Sequence, residues 1–114
     1  MSDSRVPAHL EVSGLVRAVG AAGGFATVIA TGERDAGTLL VVCCQAGRNA
    51  AVYERLPQAD GSRVWTRTRE QEPESPQEFW DYCTRRHAQD PDLWVLELDI
   101  PDAERFIDST GTLN

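Results

Sequence analysis

The longest apolar run of the chain covers residues 38–44, with the sequence TLLVVCC, and glycines flank it at Gly37 and Gly47. A run of this length fits a strand, and its β-branched side chains favour that structure. Because apolar side chains point to both sides of such a strand, both sides must be covered by other parts of the protein. The pattern therefore predicts the central strand of a sheet.

Helical periodicity predicts two longer helices. After Pro7, apolar residues recur at helical spacing until two glycines at positions 23 and 24 end the pattern: Val12, Leu15, Val16, Val19 and Ala22. Farther along, Ser75, Pro76 and Glu78 form a capping-box pattern, which predicts a second helix that ends before Asp90. A short last helix is predicted at residues 101–108.

Four further segments are predicted to be strands, at residues 25–31, 50–56, 63–69 and 93–100. The first of them should form a hairpin with the central strand, across a somewhat long polar loop. The second and third should form another hairpin, because Asp60 and Gly61 between them favour a tight turn. The fourth alternates between an apolar face and a mixed face, as a strand does.

This order of elements predicts a single α+β domain over residues 1–114, with frayed ends at about 1–6 and 109–114. A chain of this length can bury a core without metal or disulfide staples. Consecutive strands with short connections favour a mainly antiparallel or mixed five-stranded sheet, with two or three helices packed on it in two layers.

Composition excludes several classes of function. A net charge of −7 argues against generic binding to nucleic acid or to an anionic membrane. All eleven basic residues are Arg, so Lys chemistry and the Lys of a P-loop are ruled out. The three Cys make no disulfide framework, and the sequence shows neither a signal peptide nor an apolar run of membrane-spanning length. We expect a protein of the reducing cytoplasm, without membrane contact.

Three patterns suggest chemistry but are better explained by structure. The glycine-rich segment at residues 20–24 follows a helix and precedes a strand, which is the reverse of a nucleotide-binding loop. Cys83 and His87 lie one helical turn apart, as a nucleophile and its base can, but Phe79 on the same side indicates core packing. The remaining Cys and His residues are not clustered like metal ligands. The sequence therefore predicts no catalytic residue, metal site or cofactor.

One side of the second predicted hairpin carries an unusually high density of positive charge. If Asp60 lies near the tip, this side, which we call the Arg/Trp face, consists of Tyr53, Arg55, Arg63, Trp65, Arg67 and Arg69. Guanidinium groups beside aromatic rings suit recognition of carboxylates or phosphates. Because neighbouring arginines repel one another, negative charge must lie opposite, supplied by the chain itself or by a ligand. Residues 70–114 carry a net charge of −9, so an internal partner is available.

Several segments are similar to one family of short bacterial proteins. They lie at residues 10–13, 22–28, 35–37 and 53–55, and above all at residues 90–99, with the sequence DPDLWVLELD. The chain resembles the family called domain of unknown function 1491, from about residue 10 to residue 107. The resemblance implies a single cytoplasmic bacterial domain and brings with it no activity, cofactor or catalytic residue.

These observations leave three hypotheses for function. The preferred one is a non-enzymatic binding module whose Arg/Trp face binds an acidic protein or an anionic small ligand, because no catalytic pattern is present. The second is a small enzyme with a site assembled across elements, for which the candidates are Arg34, Asp35, Glu54, Arg85 and Asp92. The third is a homo-oligomer in which the Arg-rich and acid-rich halves of neighbouring copies meet.

Overall fold

A computed structural model of the chain describes residues 6–107. The elements follow the order α1 (Ala8–Ala21), β1 (Phe25–Ala30), β2 (Leu39–Gln45), β3 (Arg48–Pro57), β4 (Arg63–Glu70), α2 (Pro76–Gln89) and β5 (Trp94–Asp99). A last helical turn covers residues 104–107. The frayed ends predicted at about 1–6 and 109–114 lie outside the described residues, apart from the exposed Val6.

The five strands form one sheet in the order β1-β5-β2-β3-β4. β5 runs parallel to β2, and the other neighbouring strands are antiparallel, so the sheet is mixed. β2 lies in the middle of the sheet, and every residue from position 39 to position 44 is buried. The predicted α+β class, the five-stranded mixed sheet and the central strand are confirmed.

Helices cover both faces of the sheet. Val12, Leu15 and Val19 of α1 pack on one face, which we call the α1 face, together with the alternate β2 residues Leu39, Val41 and Cys43. Phe79 and Cys83 of α2 pack on the other, the α2 face, with Leu40, Val42 and Cys44. The domain thus has three layers rather than the expected two, because a central strand that is apolar on both sides needs a cover on each.

The hairpin predicted between the first two strands is wrong, because β5 lies between β1 and β2. The loop that connects them passes over the start of β5. There the N–H of Glu33 donates to the carbonyl of Asp92 (2.9 Å), and the indole N–H of Trp94 donates to the carbonyl of Glu33 (2.7 Å). A Cβ atom at Gly32 or Gly37 would collide with the carbonyl oxygen of Asp92, so the two glycines permit this crossing. β1 is consequently an edge strand.

The hairpin of β3 and β4 and the helix α2 lie where the pattern predicted them. The capping box, however, does not form: Ser75 precedes the helix, but its side chain makes no capping hydrogen bond. Its ψ of 56° lies outside the extended conformation that aims a capping side chain at the first helical N–H groups. No helix within residues 6–107 is long and apolar enough to cross a membrane.

Candidate functional site

The pairing of β3 with β4 brings together five of the six residues of the predicted Arg/Trp face. By the register of the two strands they lie on the α1 face: Tyr53, Arg55, Arg63, Trp65 and Arg67. The two strands alternate regularly over most of the hairpin, so these five residues lie on one side, as the sequence predicted.

Arg69 lies on the opposite side of the sheet. The register shifts between Val52 and Tyr53, so that Arg69 faces Val52 and turns towards the α2 face. Its guanidinium carbon stacks 4.2 Å from the centre of the Tyr82 ring of α2. Alternation alone could not reveal this irregularity, because a bulge depends on the partner strand.

Arg55 is covered by helix α1. Its two terminal nitrogens donate to the two carboxylate oxygens of Glu11 at 2.8 and 2.9 Å, and the side chains are only 8% and 7% exposed. The guanidinium also stacks on the Trp65 ring, with its carbon 4.8 Å from the ring centre. A buried ion pair with this two-point geometry leaves neither charge available to a ligand.

Tyr53 and Arg67 also have partners within the chain. Arg67 donates to the Tyr53 hydroxyl (3.1 Å) and to Glu70 (3.1 Å), and the Tyr53 hydroxyl donates to Glu104 of the last helical turn (3.2 Å). Burial and the charge of Glu104 raise the pKa of Tyr53 against the opposing effect of Arg67. Glu11, Glu70 and Glu104 therefore supply the negative charge that the Arg/Trp face requires.

A second polar cluster surrounds Glu54 on the α2 face. Its carboxylate accepts hydrogen bonds from Thr68 (2.8 Å), Tyr82 (2.9 Å) and Arg86 (2.8 Å), and the residue is buried. Burial acts to raise the pKa of Glu54, but the hydrogen bonds from Arg86, Thr68 and Tyr82 outweigh it and hold the pKa below its usual value. An acidic residue at the end of the apolar segment 50–53 was the only sequence signal of this cluster.

The candidates of the enzyme hypothesis do not come together in one cluster: Arg34, Asp35, Glu54, Arg85 and Asp92. Arg34 and Asp35 lie at the start of α1, where their carbonyls accept the N–H groups of His9 (2.9 Å) and Ala8 (3.0 Å). Glu54 lies on the other face and pairs with Arg86 instead of Arg85. The backbone hydrogen bonds of Arg34 and Asp35 hold the loop between β1 and β2 against α1, and the pair of Glu54 with Arg86 holds α2 against the sheet.

All three cysteine thiols are buried. Burial raises the pKa of Cys83 to about 11 and, with the nearby charges of Glu97 and Asp99, that of Cys44 to about 12. Nδ1 of His87 is hydrogen-bonded to the carbonyl of Leu93 (2.9 Å) rather than to Cys83. Protonated thiols are poor nucleophiles and poor metal ligands. No group of three His, Cys, Asp or Glu side chains within residues 6–107 is arranged to hold a metal ion.

The two edges of the sheet differ in charge. β4 carries Arg63, Arg67 and Arg69, and charged side chains discourage another strand from pairing with an edge. β1 has the sequence FATVIA, without a charge, and its three largest side chains are exposed: Phe25 by 75%, Val28 by 40% and Ile29 by 47%. Within the part of the chain that the structure describes, β1 therefore presents an apolar edge without charged side chains, which a register shift at Ile29 interrupts.

A groove lies beside β1 on each face of the sheet. The α1 groove, of about 590 Å³, separates β1 from helix α1 and is lined by His9, Val12, Val16, Arg17, Val28 and Trp94. The α2 groove, of about 230 Å³, lies towards α2 and is lined by Ile29, Ala30, Trp80, Cys83, His87 and Val95. Sequence reasoning missed this site because it placed β1 beside the central strand.

Known structures share this fold. A crystal structure of a DUF1491 family protein from Caulobacter crescentus is 28% identical, with a TM-score of 0.76 over 90% of this chain and 94% of that chain. An NMR structure of a DUF1491 family protein from the same organism is also 28% identical, with a TM-score of 0.74 over 89% and 91% of the two chains. The solution structure of a protein from A. tumefaciens is 28% identical, with a TM-score of 0.66 over 86% and 88%. No curated protein matches the chain.

The family comparison agrees with these structures. The model of the family described as "Protein of unknown function (DUF1491)" matches residues 6–108. The matched region spans the seven helices and strands from α1 to β5, and the match confirms the resemblance found in the sequence. The chain therefore belongs to the DUF1491 family.

Proposed function

We propose that the protein is a non-enzymatic interaction module that binds an extended segment of another protein along β1. The observation that carries this proposal is the uncharged, exposed edge of β1 with an apolar groove on each side. In strand addition, the backbone of the incoming segment pairs with a free sheet edge, and its alternate side chains enter pockets on the two faces. β1 supplies the strand edge for such backbone pairing, and the α1 groove and the α2 groove supply the pockets.

The Arg/Trp face is the weaker of the two docking surfaces. Arg55 and Arg67 already contact Glu11, Glu70 and Glu104, so an acidic protein or anionic small ligand would have to displace these carboxylates. Displacing Glu11 would also leave a buried carboxylate without its partner. We therefore assign the binding role to β1 and a structural role to the Arg/Trp face.

A cytoplasmic location fits this proposal. All three cysteines are free and buried, as expected for a protein that folds under reducing conditions. Fractionation of the native cells would test the location, since recovery of the protein outside the cytoplasmic fraction would contradict it.

Selection from a library of random peptides tests the binding role. Peptides selected on the immobilised protein should bind Ile29→Glu at least about ten-fold more weakly, because a charge at the edge opposes an apolar segment and must be desolvated. Val64→Glu is the matched control, because Val64 (48% exposed) is as exposed as Ile29 (47%) but lies on the opposite edge strand. Val64→Glu should leave the affinity unchanged.

Circular dichroism should show that both variants remain folded, because each replaces a side chain that is already exposed. Failure to select any peptide, or equal loss of affinity in the two variants, would contradict binding at β1.

A further inference from the structure

The surroundings of β1 differ in charge from the rest of this acidic protein. The chain carries 18 Asp and Glu residues, yet none of those between positions 6 and 107 lines the α1 groove or the α2 groove. The ionisable residues that do line them are Cys83, which is protonated, and His9, Arg17 and His87. The region beside β1 is therefore neutral to basic, although the protein as a whole is acidic.

Arg17 is the residue that gives this region its positive charge. It is exposed on α1 and lines the α1 groove, and its guanidinium makes no ion pair with any residue between positions 6 and 107. His9, at the other end of the same groove, already contacts the carbonyl of Arg34 (3.1 Å) and lies 3.7 Å from the carboxylate of Asp35. Arg55, Arg67 and Arg86 elsewhere all pair with carboxylates. Among the described residues beside β1, Arg17 therefore supplies a positive charge that has no carboxylate partner.

The geometry of a strand sets where a matching negative charge would lie. Side chains two residues apart point to the same face and are separated by about 7 Å, while the residue between them points to the opposite face. A segment added to β1 can thus place one apolar side chain against Val28 and Trp94 in the α1 groove. The side chain two positions away can then reach Arg17, and the intervening one faces the α2 groove beside Ile29 and Trp80.

Building on the proposed function, we propose that the occupant is an acidic extended segment of a different protein. Its pattern is two adjacent apolar residues with Asp or Glu two positions from the residue that enters the α1 groove. The carboxylate pairs with Arg17, and such a pair adds orientation and specificity to the backbone pairing.

A second copy of the chain fits this site less well. Antiparallel pairing of two β1 strands around a two-fold axis would place both α1 helices on the same face of the joined sheet. Phe25–Ala30 contains no carboxylate, so the paired strand of a second copy would bring no negative charge to Arg17, and the second copy's own Arg17 would lie on the same face.

The test is a comparison of peptides selected from a random library on the wild type, on Arg17→Glu and on Arg85→Glu. Arg85 is a matched control because it is exposed on α2 and lies outside both grooves. Peptides that bind the wild type at β1 should be enriched in Asp and Glu beside adjacent apolar residues. Selection on Arg17→Glu should lose this enrichment, whereas selection on Arg85→Glu should retain it.

A double-mutant cycle on one selected peptide completes the test. Replacing its carboxylate by the amide should weaken binding to the wild type by about three-fold and leave binding to Arg17→Ala nearly unchanged. Peptides that bind at β1 without acidic enrichment would overturn this inference and leave the proposed function intact. Absence of any peptide that binds at β1 would overturn both. A dimer that sedimentation detects and Ile29→Glu dissociates would also overturn the inference, because a second copy would then occupy the edge.

Discussion

Glu54 keeps a negative charge between the sheet and α2 because three side chains donate hydrogen bonds to it. Its pKa in the folded protein lies below the ordinary value of 4.5. The ionised form therefore stabilises the fold fully above about pH 4.5, and this stabilisation is lost as the pH falls through the lower folded pKa.

Glu54→Gln should lower the free energy of unfolding at neutral pH by about 2 kcal/mol, because it leaves Arg86 without its opposite charge. The variant should also lose less stability than the wild type between neutral and acid pH. Urea unfolding at several pH values measures both effects. Glu74→Gln, in the exposed segment before α2, is the control and should behave like the wild type. Equal pH dependence in Glu54→Gln and the wild type would contradict this role.

At the level of residues, the sequence predicted which side chains share the Arg/Trp face but not what they contact. Strand alternation grouped Tyr53, Arg55, Arg63, Trp65 and Arg67 correctly. Arg69 was misplaced because a register shift depends on the partner strand. The partners Glu11 and Glu104 come from opposite ends of the chain, and no local pattern relates them to the hairpin.

Among the elements, the loop between β1 and β2 decides which strand becomes an edge. Periodicity was enough to locate the strands and both helices, because each buries a regular set of apolar residues. The order of the strands was not predictable in this way, because β5 enters between β1 and β2 from the far end of the sequence. That insertion depends on backbone contacts of the loop with Asp92, which leave no periodic trace.

Gly32→Ala should destabilise the protein by about 2 kcal/mol or more, because its Cβ atom would collide with the carbonyl oxygen of Asp92 and push the loop away from β5. Thermal unfolding measures the change. Gly14→Ala is the matched control, since nothing lies within 4 Å of the added Cβ atom in the interior of α1. The control should be stabilised by about 0.5 to 1 kcal/mol through helix propensity. A Gly32→Ala protein as stable as the wild type would contradict the close crossing.

Over the whole molecule, ion pairs connect the three layers. Arg55 joins the sheet to Glu11 of α1, Arg86 of α2 joins the sheet at Glu54, and Arg67 lies 3.9 Å from Glu104 of the last turn. The first two pairs are the more protected from solvent, so salt should weaken them less than the exposed contact of Arg67.

Glu11→Ala should cost about 3 kcal/mol of unfolding free energy, because it leaves the buried Arg55 without its carboxylate. The double variant Glu11→Leu with Arg55→Met should recover most of that loss, since apolar side chains of similar size can replace a buried pair. Denaturant unfolding of the three proteins measures the difference. A cost below about 1 kcal/mol in Glu11→Ala would show that α1 does not depend on this pair.

Hydrogen exchange of the backbone amides would show whether a peptide docks at the edge of β1. The protein would be measured alone and with a peptide selected on it. Strand addition predicts slower exchange at amides within Phe25–Ala30, because the peptide backbone accepts hydrogen bonds from the N–H groups that face away from β5. Amides of the other edge strand, Arg63–Glu70, should keep their rates. Slower exchange in Arg63–Glu70, with the rates in β1 unchanged, would contradict docking at β1.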